Sequence, residues 1–164
     1  MPEELVVLSG KGGTGKTSLT AAFAVLAETA VVADCDVDAA DLHLLLAPET
    51  ERREQFFSGH EAVIDQSICH RCGTCYDHCR FDAVLTEPDA DGKLSYHIDP
   101  IACEGCGVCV RLCPNGAIDF PESHCGEWMV SRTRCGPMVH ARLGIAAENS
   151  GKLVSIVRRE ARVV

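Results

Sequence analysis

Residues 64–84, IDQSICHRCGTCYDHCRFDAV, lie over residues 98–118, IDPIACEGCGVCVRLCPNGAI, at an offset of 34 residues. All four cysteines of each copy coincide, as do the opening Ile-Asp, one glycine and the alanine near the end. Each run has the form Cys-x2-Cys-x2-Cys-x3-Cys: Cys69, Cys72, Cys75 and Cys79 in the first, Cys103, Cys106, Cys109 and Cys113 in the second. Spacing this tight draws three sulfurs of a run together, so whatever the thiols bind decides the local fold. Disulfides belong to oxidising compartments, and the N-terminus MPEELVVLSG lacks the basic region of a secretory signal. The chain's eleven cysteines therefore point to metal in a cytoplasmic protein.

Thiolates are soft, anionic ligands that suit both iron–sulfur clusters and zinc. Two structural zinc sites are one reading. The other rests on the spacing, which resembles that of the bacterial two-cluster ferredoxins, where the fourth cysteine of each run ligates the other cluster. That resemblance implies one [4Fe–4S] cluster on Cys69, Cys72, Cys75 and Cys113, and a second on Cys103, Cys106, Cys109 and Cys79. The second run continues into Pro114 but the first into Arg80. Loss of the proline would loosen that turn, or the added charge would raise the potential of the nearby cluster. Between the copies, DADG at 89–92 reads as a turn between hairpin strands.

The N-terminal stretch carries different chemistry. Gly10, Lys11, Gly12, Gly13, Thr14, Gly15, Lys16 and Thr17 satisfy the phosphate-loop pattern G-x-x-x-x-G-K-[ST]. The pattern follows a predicted buried strand at 5–8. It opens a predicted helix at 16–28 with Ala21, Val25 and Leu26 on its buried face. Glycines let such a loop aim N–H groups at phosphate oxygens, and the helix presents its positive end to the same anion. Lys16 would reach the β- and γ-phosphates, Thr17 would ligate Mg2+, and Ser18 completes the cradle. A glycine-rich turn without a ligand is the plain alternative. Residues 30–36 read as a second buried strand, 39–47 as a short helix stopped by Pro48, and 48–61 as a polar linker. Beyond Pro121, 127–133 reads as a strand, and a helix begins near Ser150. The alternation predicts a parallel sheet with crossover helices.

Lys11, ahead of the double glycine, makes this loop resemble the deviant Walker A motif of the MinD/ParA family. There the early lysine reaches across a dimer interface into the partner's nucleotide. DCDVDAADL at 34–42 is similar to that family's switch I segment, which implies that Asp36 orients water or meets Mg2+ through water, supported by Asp34 and Asp41. Alternatively these aspartates and Asp38 are solvated or cap the helix. The chain as a whole resembles MinD-superfamily P-loop ATPases that carry an inserted ferredoxin domain. The fold so implied is α/β: an incomplete P-loop parallel sheet interrupted by an α+β bacterial two-cluster ferredoxin domain. Residues 1–61 and 122–164 would be the ATPase parts and 62–121 the insert. The family's chain runs on to a Walker B aspartate, usually within Asp-Gly-Pro-Pro-Gly, and no such sequence stands before Val164. The ATPase is therefore expected to be truncated before Walker B, or completed by another chain. The resemblance implies ATP, Mg2+ and two [4Fe–4S] clusters as cofactors, and Lys11, Lys16 and Asp36 as catalytic residues. It implies a homodimer or related ATPase chain, and a redox protein, as partners.

Composition narrows the function. A net charge of −9, no long Lys/Arg run and 5% aromatic residues argue against nucleic-acid binding. No apolar run reaches the ~18 residues of a membrane span. The tail KLVSIVRREARVV reads as a helix of the sheet rather than as an amphipathic membrane helix. Cys35 reads as a small buried apolar residue, Cys125 and Cys135 as packed or unligated thiols, and His140 as a partly buried, satisfied histidine. The leading reading is an ATP-binding iron–sulfur protein in which nucleotide binding is coupled to electron transfer, with hydrolysis left open. The alternatives are a plain ferredoxin-like electron carrier beside a non-functional ATPase remnant, and an iron–sulfur cluster carrier or scaffold.

Overall fold

The computed structural model describes residues 4–11, 13–89, 92–144 and 150–164. Gly12 of the phosphate loop and the centre of the 89–92 turn lie outside the described residues. In chain order the first elements are α1 (Lys16–Leu26), β1 (Val32–Asp34), α2 (Leu42–Leu46), β2 (Glu49–His60), β3 (Val63–Ile64) and α3 (Thr74–His78). They are followed by β4 (Val84–Pro88), β5 (Leu94–Ile98), α4 (Val108–Leu112), β6 (Ile118–Asp119), β7 (Glu122–Thr133), β8 (Gly136–Leu143) and α5 (Ser150–Glu160). The chain divides into two compact units, Met1–Phe56 with Cys125–Val164, and Phe57–His124.

The first unit is a mixed α/β layer structure on a sheet of order β1-β8-β7-β2. Side chains alternate across β8 with the period of two that a strand imposes. Met138 packs with Val32, Ala21, Ala24, Leu42 and Leu46 on the side of α1 and α2. Val139 and Ala141 pack with Trp128, Val130, Leu153 and Val157 on the side of α5. Helices therefore cover both faces.

Four expectations are corrected here. The sheet is not parallel throughout: β1 runs parallel to β8, from Val32 opposite Met138 to Asp34 opposite His140, but β7 and β8 form an antiparallel hairpin. Residues 5–8 form no strand, and Leu5, Val6 and Leu8 are 68%, 61% and 86% exposed; no strand among the described residues gives their backbone ladder partners, and an apolar run becomes a strand only with them. In α1 the buried residues are Ala21 and Ala24, whereas Val25 and Leu26 are exposed. Finally, most of 48–61 is the 12-residue strand β2 rather than an irregular linker. Its charged residues form pairs instead of an apolar alternation: Arg52 with Glu160 at 2.6 Å, Arg53 with Glu127 at 3.2 Å, and Glu51 with Arg132 at 3.3 Å. Arg52 also lies 4.7 Å above the Trp128 ring. Such pairs fit an edge strand that carries charge.

In the second unit the two copies of the repeat interlock. β3 pairs antiparallel with β6, Ile64 opposite Ile118, and β4 pairs antiparallel with β5, Val84 opposite Ile98. Ile64 and Ile98 open the two copies, and Val84 and Ile118 close them, so each start is paired with the other copy's end. Ala62, Ile64, Cys75, Val84 and Ile118 form the buried centre.

Leu153 is fully buried in the α5 face of the first unit. Leu153→Ala should destabilise that unit by about 2–5 kcal/mol. Denaturant unfolding followed by the fluorescence of Trp128, the chain's one tryptophan and a member of the same core, reads the shift.

Candidate metal centres

Each cysteine run begins with an aspartate that pins its first turn. Asp65 Oδ1 accepts from the Ser67 N–H at 2.8 Å and its carbonyl accepts from the Cys69 N–H at 3.0 Å. Asp99 repeats the device with the Ile101 and Cys103 N–H groups at 2.9 and 3.0 Å. The backbone is left-handed at matched positions: Arg71 and Gly105 (φ 58° and 59°), Gly73 and Gly107 (79° and 69°), and Asp82 and Gly116 (53° and 61°). The first two pairs turn the start of each run back on itself, and α3 and α4, which hold Cys75 and Cys109, then carry the chain to the fourth cysteine.

Because strand pairing joins one copy's start to the other's end, the fourth cysteine is delivered across the repeat. One cavity is walled by Cys69, Cys72, Cys75 and Cys113, and another by Cys103, Cys106, Cys109 and Cys79. Their volumes, counting the open mouths, are close, at about 330 and 300 Å³. None of the eleven cysteines is in a disulfide. Among the described residues no three Cys, His, Asp or Glu side chains gather tightly enough to hold a single ion. Four sulfurs around a cavity suit a multi-atom cluster better than one zinc.

The sequence profile of the 4Fe–4S dicluster domain matches residues 68–117. A ferredoxin of Methanocaldococcus jannaschii is 36% identical over 58 residues, 35% of this chain and 74% of that protein. Over this segment the chain belongs to the dicluster ferredoxin family. The ferredoxin-type protein NapF of Escherichia coli is 31% identical over 70 residues, 43% of this chain and 42% of its own length. An uncharacterized M. jannaschii protein is 31% identical over 162 residues, 97% of this chain, and the chain spans only 55% of that relative's length.

The ferredoxin segment has two unequal sulfur environments. At the first cavity the Arg71 N–H donates to Cys69 Sγ at 3.4 Å and the Ala117 N–H donates to Cys113 Sγ at 3.3 Å. The Thr74 hydroxyl lies 3.3 Å from Cys72 Sγ. Hydrogen bonds from the Thr74 hydroxyl and N–H lower the Cys72 thiol below its ordinary value. Burial raises Cys75 and Cys109, so apo protein holds those two as thiols, and iron must displace their protons. Thr74 carries no signal in the repeat, since the second copy has Val108 there. Asp65 and Asp99 were marked only by the shared Ile-Asp start.

The phosphate-loop residues lie in the first unit. Gly10, Lys11, Gly13, Thr14, Gly15 and Ser18 are exposed, and Lys16 and Thr17 half-buried. Gly13 and Gly15 are left-handed at φ 76° and 84°, and Gly15 caps α1 without a side-chain hydrogen bond. The first N–H groups of an 11-residue helix are thus uncapped by protein side chains, which suits an anion. The Lys16 ammonium is paired with the Asp36 carboxylate. Asp34 is buried; its Oδ1 accepts from the Asp36 N–H at 3.1 Å, and its Oδ2 has no hydrogen-bond partner among the described residues. Burial raises its pKa. Asp41 sits at the N-cap of α2 without making a side-chain cap, and Asp38 is exposed.

Cys35 is exposed rather than buried: the β1 alternation that buries Val32 and Asp34 turns Ala33 and Cys35 outward. Cys125 and Cys135 are packed at 4% and 2% exposure. His140 is buried with Nε2 2.9 Å from the Ser131 hydroxyl, and burial lowers its pKa. No helix among the described residues is long and apolar enough to cross a membrane.

At Gly105 an added Cβ would meet the His60 carbonyl oxygen at 2.3 Å, in a left-handed backbone. Gly105→Ala should therefore cost about 2 kcal/mol or more and loosen the loop between Cys103 and Cys106. Thermal melts and iron retention of the reconstituted protein check it, with Arg71→Gly, at the matched position, expected to be neutral or stabilising.

Proposed function

We propose that this chain carries single electrons through two [4Fe–4S] clusters, one in each cysteine-walled cavity. The observation that supports it best is the make-up of those walls: three cysteines of one run and the fourth of the other, twice. On this reading Cys69, Cys72, Cys75 and Cys113 hold one cluster, and Cys103, Cys106, Cys109 and Cys79 the other. Each bound cluster supplies one-electron exchange at a potential set by its surroundings. Ala62, Ile64, Val84 and Ile118 keep the centre of the unit dry. Cys72 and Cys106 bring one sulfur of each set to the surface, where a redox partner protein can approach. Complete four-cysteine sets favour resident clusters over clusters held for delivery. Cys106→Ser should lower iron from about eight to about four atoms per chain; retention of all the iron would contradict the ligand assignment.

A second reading adds a nucleotide. The uncapped α1 N-terminus, Lys16 beside Asp36, the neighbouring Thr17 and the unpartnered buried oxygen of Asp34 favour Mg2+–ATP in the first unit, as in MinD/ParA-type ATPases. The exposure of Lys11 suits contact with a nucleotide on a second copy or a related chain. In this reading nucleotide binding biases electron exchange by favouring one of two states. Lys16→Ala should abolish Mg2+–ATP binding in anaerobic calorimetry and leave iron content unchanged; equal iron loss would contradict the two-module picture.

A further inference from the structure

The two cavities have the same sulfur count and similar exposure, but their remaining walls differ in kind. The first is lined by Ile64, Ala117 and Ile118, which match Ile98, Ala83 and Val84 of the second, and by His70, Thr74, Tyr96 and Asn115, all able to donate a hydrogen bond, with no acid. The second is lined by Ala62, Phe81, Ala83, Val84 and Ile98, and its one charged side chain is Glu104. His70 and Glu104 hold the same place in the two copies, as do Thr74 and Val108. Among the bonds to sulfur, the Tyr76 N–H on Cys75 is matched by the Val110 N–H on Cys109, and those from Arg71, Thr74 and Ala117 serve the first set.

We infer that the first cavity holds an added electron more tightly than the second, with Thr74 and Glu104 as the positioning residues that set the difference. The inference rests on the electron-carrier reading and adds a direction to it. Reduction adds one negative charge to a cluster. Donors aimed at its sulfurs stabilise that charge, and a carboxylate on the wall opposes it. Three features act the other way. The Asp77 carboxylate of α3 repels negative charge at Cys72, but it is exposed and therefore screened by solvent. Cys75 is buried where Cys109 is half-buried, which disfavours charge at the first site. Arg80 follows Cys79 of the second set, but it is exposed and therefore screened by solvent. Three donors and an acid outweigh these. One electron entering at the second site from a low-potential protein donor would pass to the first and rest there, leaving the second oxidised and ready for another.

The test is a mediated reductive titration of the anaerobically reconstituted full chain, read by electron paramagnetic resonance. Wild type should show two resolved one-electron steps. Thr74→Val, which copies the residue already present in α4, should move only the higher step downward. Glu104→Gln should move only the lower step upward, and iron content should be unchanged in both. Coincident steps in wild type, a Thr74→Val shift of the lower step, or no shift in either variant would overturn the inference while leaving the carrier reading intact. A chain that takes up no iron would overturn both.

Discussion

Two short antiparallel pairings, Ile64 with Ile118 and Val84 with Ile98, decide where every cavity-lining sulfur in the ferredoxin unit goes. Each joins the start of one copy to the end of the other. The first two cysteines of a run lie in the loop just after its start, the third lies in the short helix that follows, and the fourth lies between that helix and the run's end. Crossing the pairings therefore crosses the fourth cysteines, and neither cavity wall is completed by one copy alone. The buried centre is small, and sulfurs are part of it: Cys75 lies inside, and five more cysteines of the two runs pack around it. A unit this size has little apolar area to bury, so bound metal would contribute directly to its folding.

The first unit is organised by where β1 ends. Val32 and Asp34 face the side of α1 and α2, and the carboxylate of Asp34 is carried into that buried layer. A buried carboxylate with one oxygen unpartnered among the described residues is costly, and burial raises its pKa. Two residues on, Asp36 emerges far enough to pair with Lys16 at the start of α1. Charge is therefore concentrated at one end of the sheet, at an uncapped helix start, while the layers behind it are apolar.

The cysteine repeat was legible because metal ligation fixes spacing, and the hairpin between the copies was legible because Gly and Asp punctuate it. Several other features were not. The strand β2 has charged side chains where an apolar alternation would be expected; its backbone is ordered by pairing with β7, and its charges are matched by Glu160, Glu127 and Arg132 elsewhere in the chain. Residues 5–8 have the composition of a buried strand but no ladder partner among the described residues. Cys35 was read as a small core residue, yet the register of β1 against β8 turns it outward. The donor-rich wall of the first cavity was hidden in the repeat itself, because Thr74, Tyr96 and Asn115 matter only once folding brings them to the same cavity.

Metal analysis of the anaerobically purified chain tests the central claim most directly, with iron, acid-labile sulfide and zinc measured on one sample. Two [4Fe–4S] clusters predict about eight iron and about eight sulfide per chain, with negligible zinc. Two zinc ions per chain with no sulfide would contradict it, and would make the cysteine-walled cavities structural sites without a role in electron transfer.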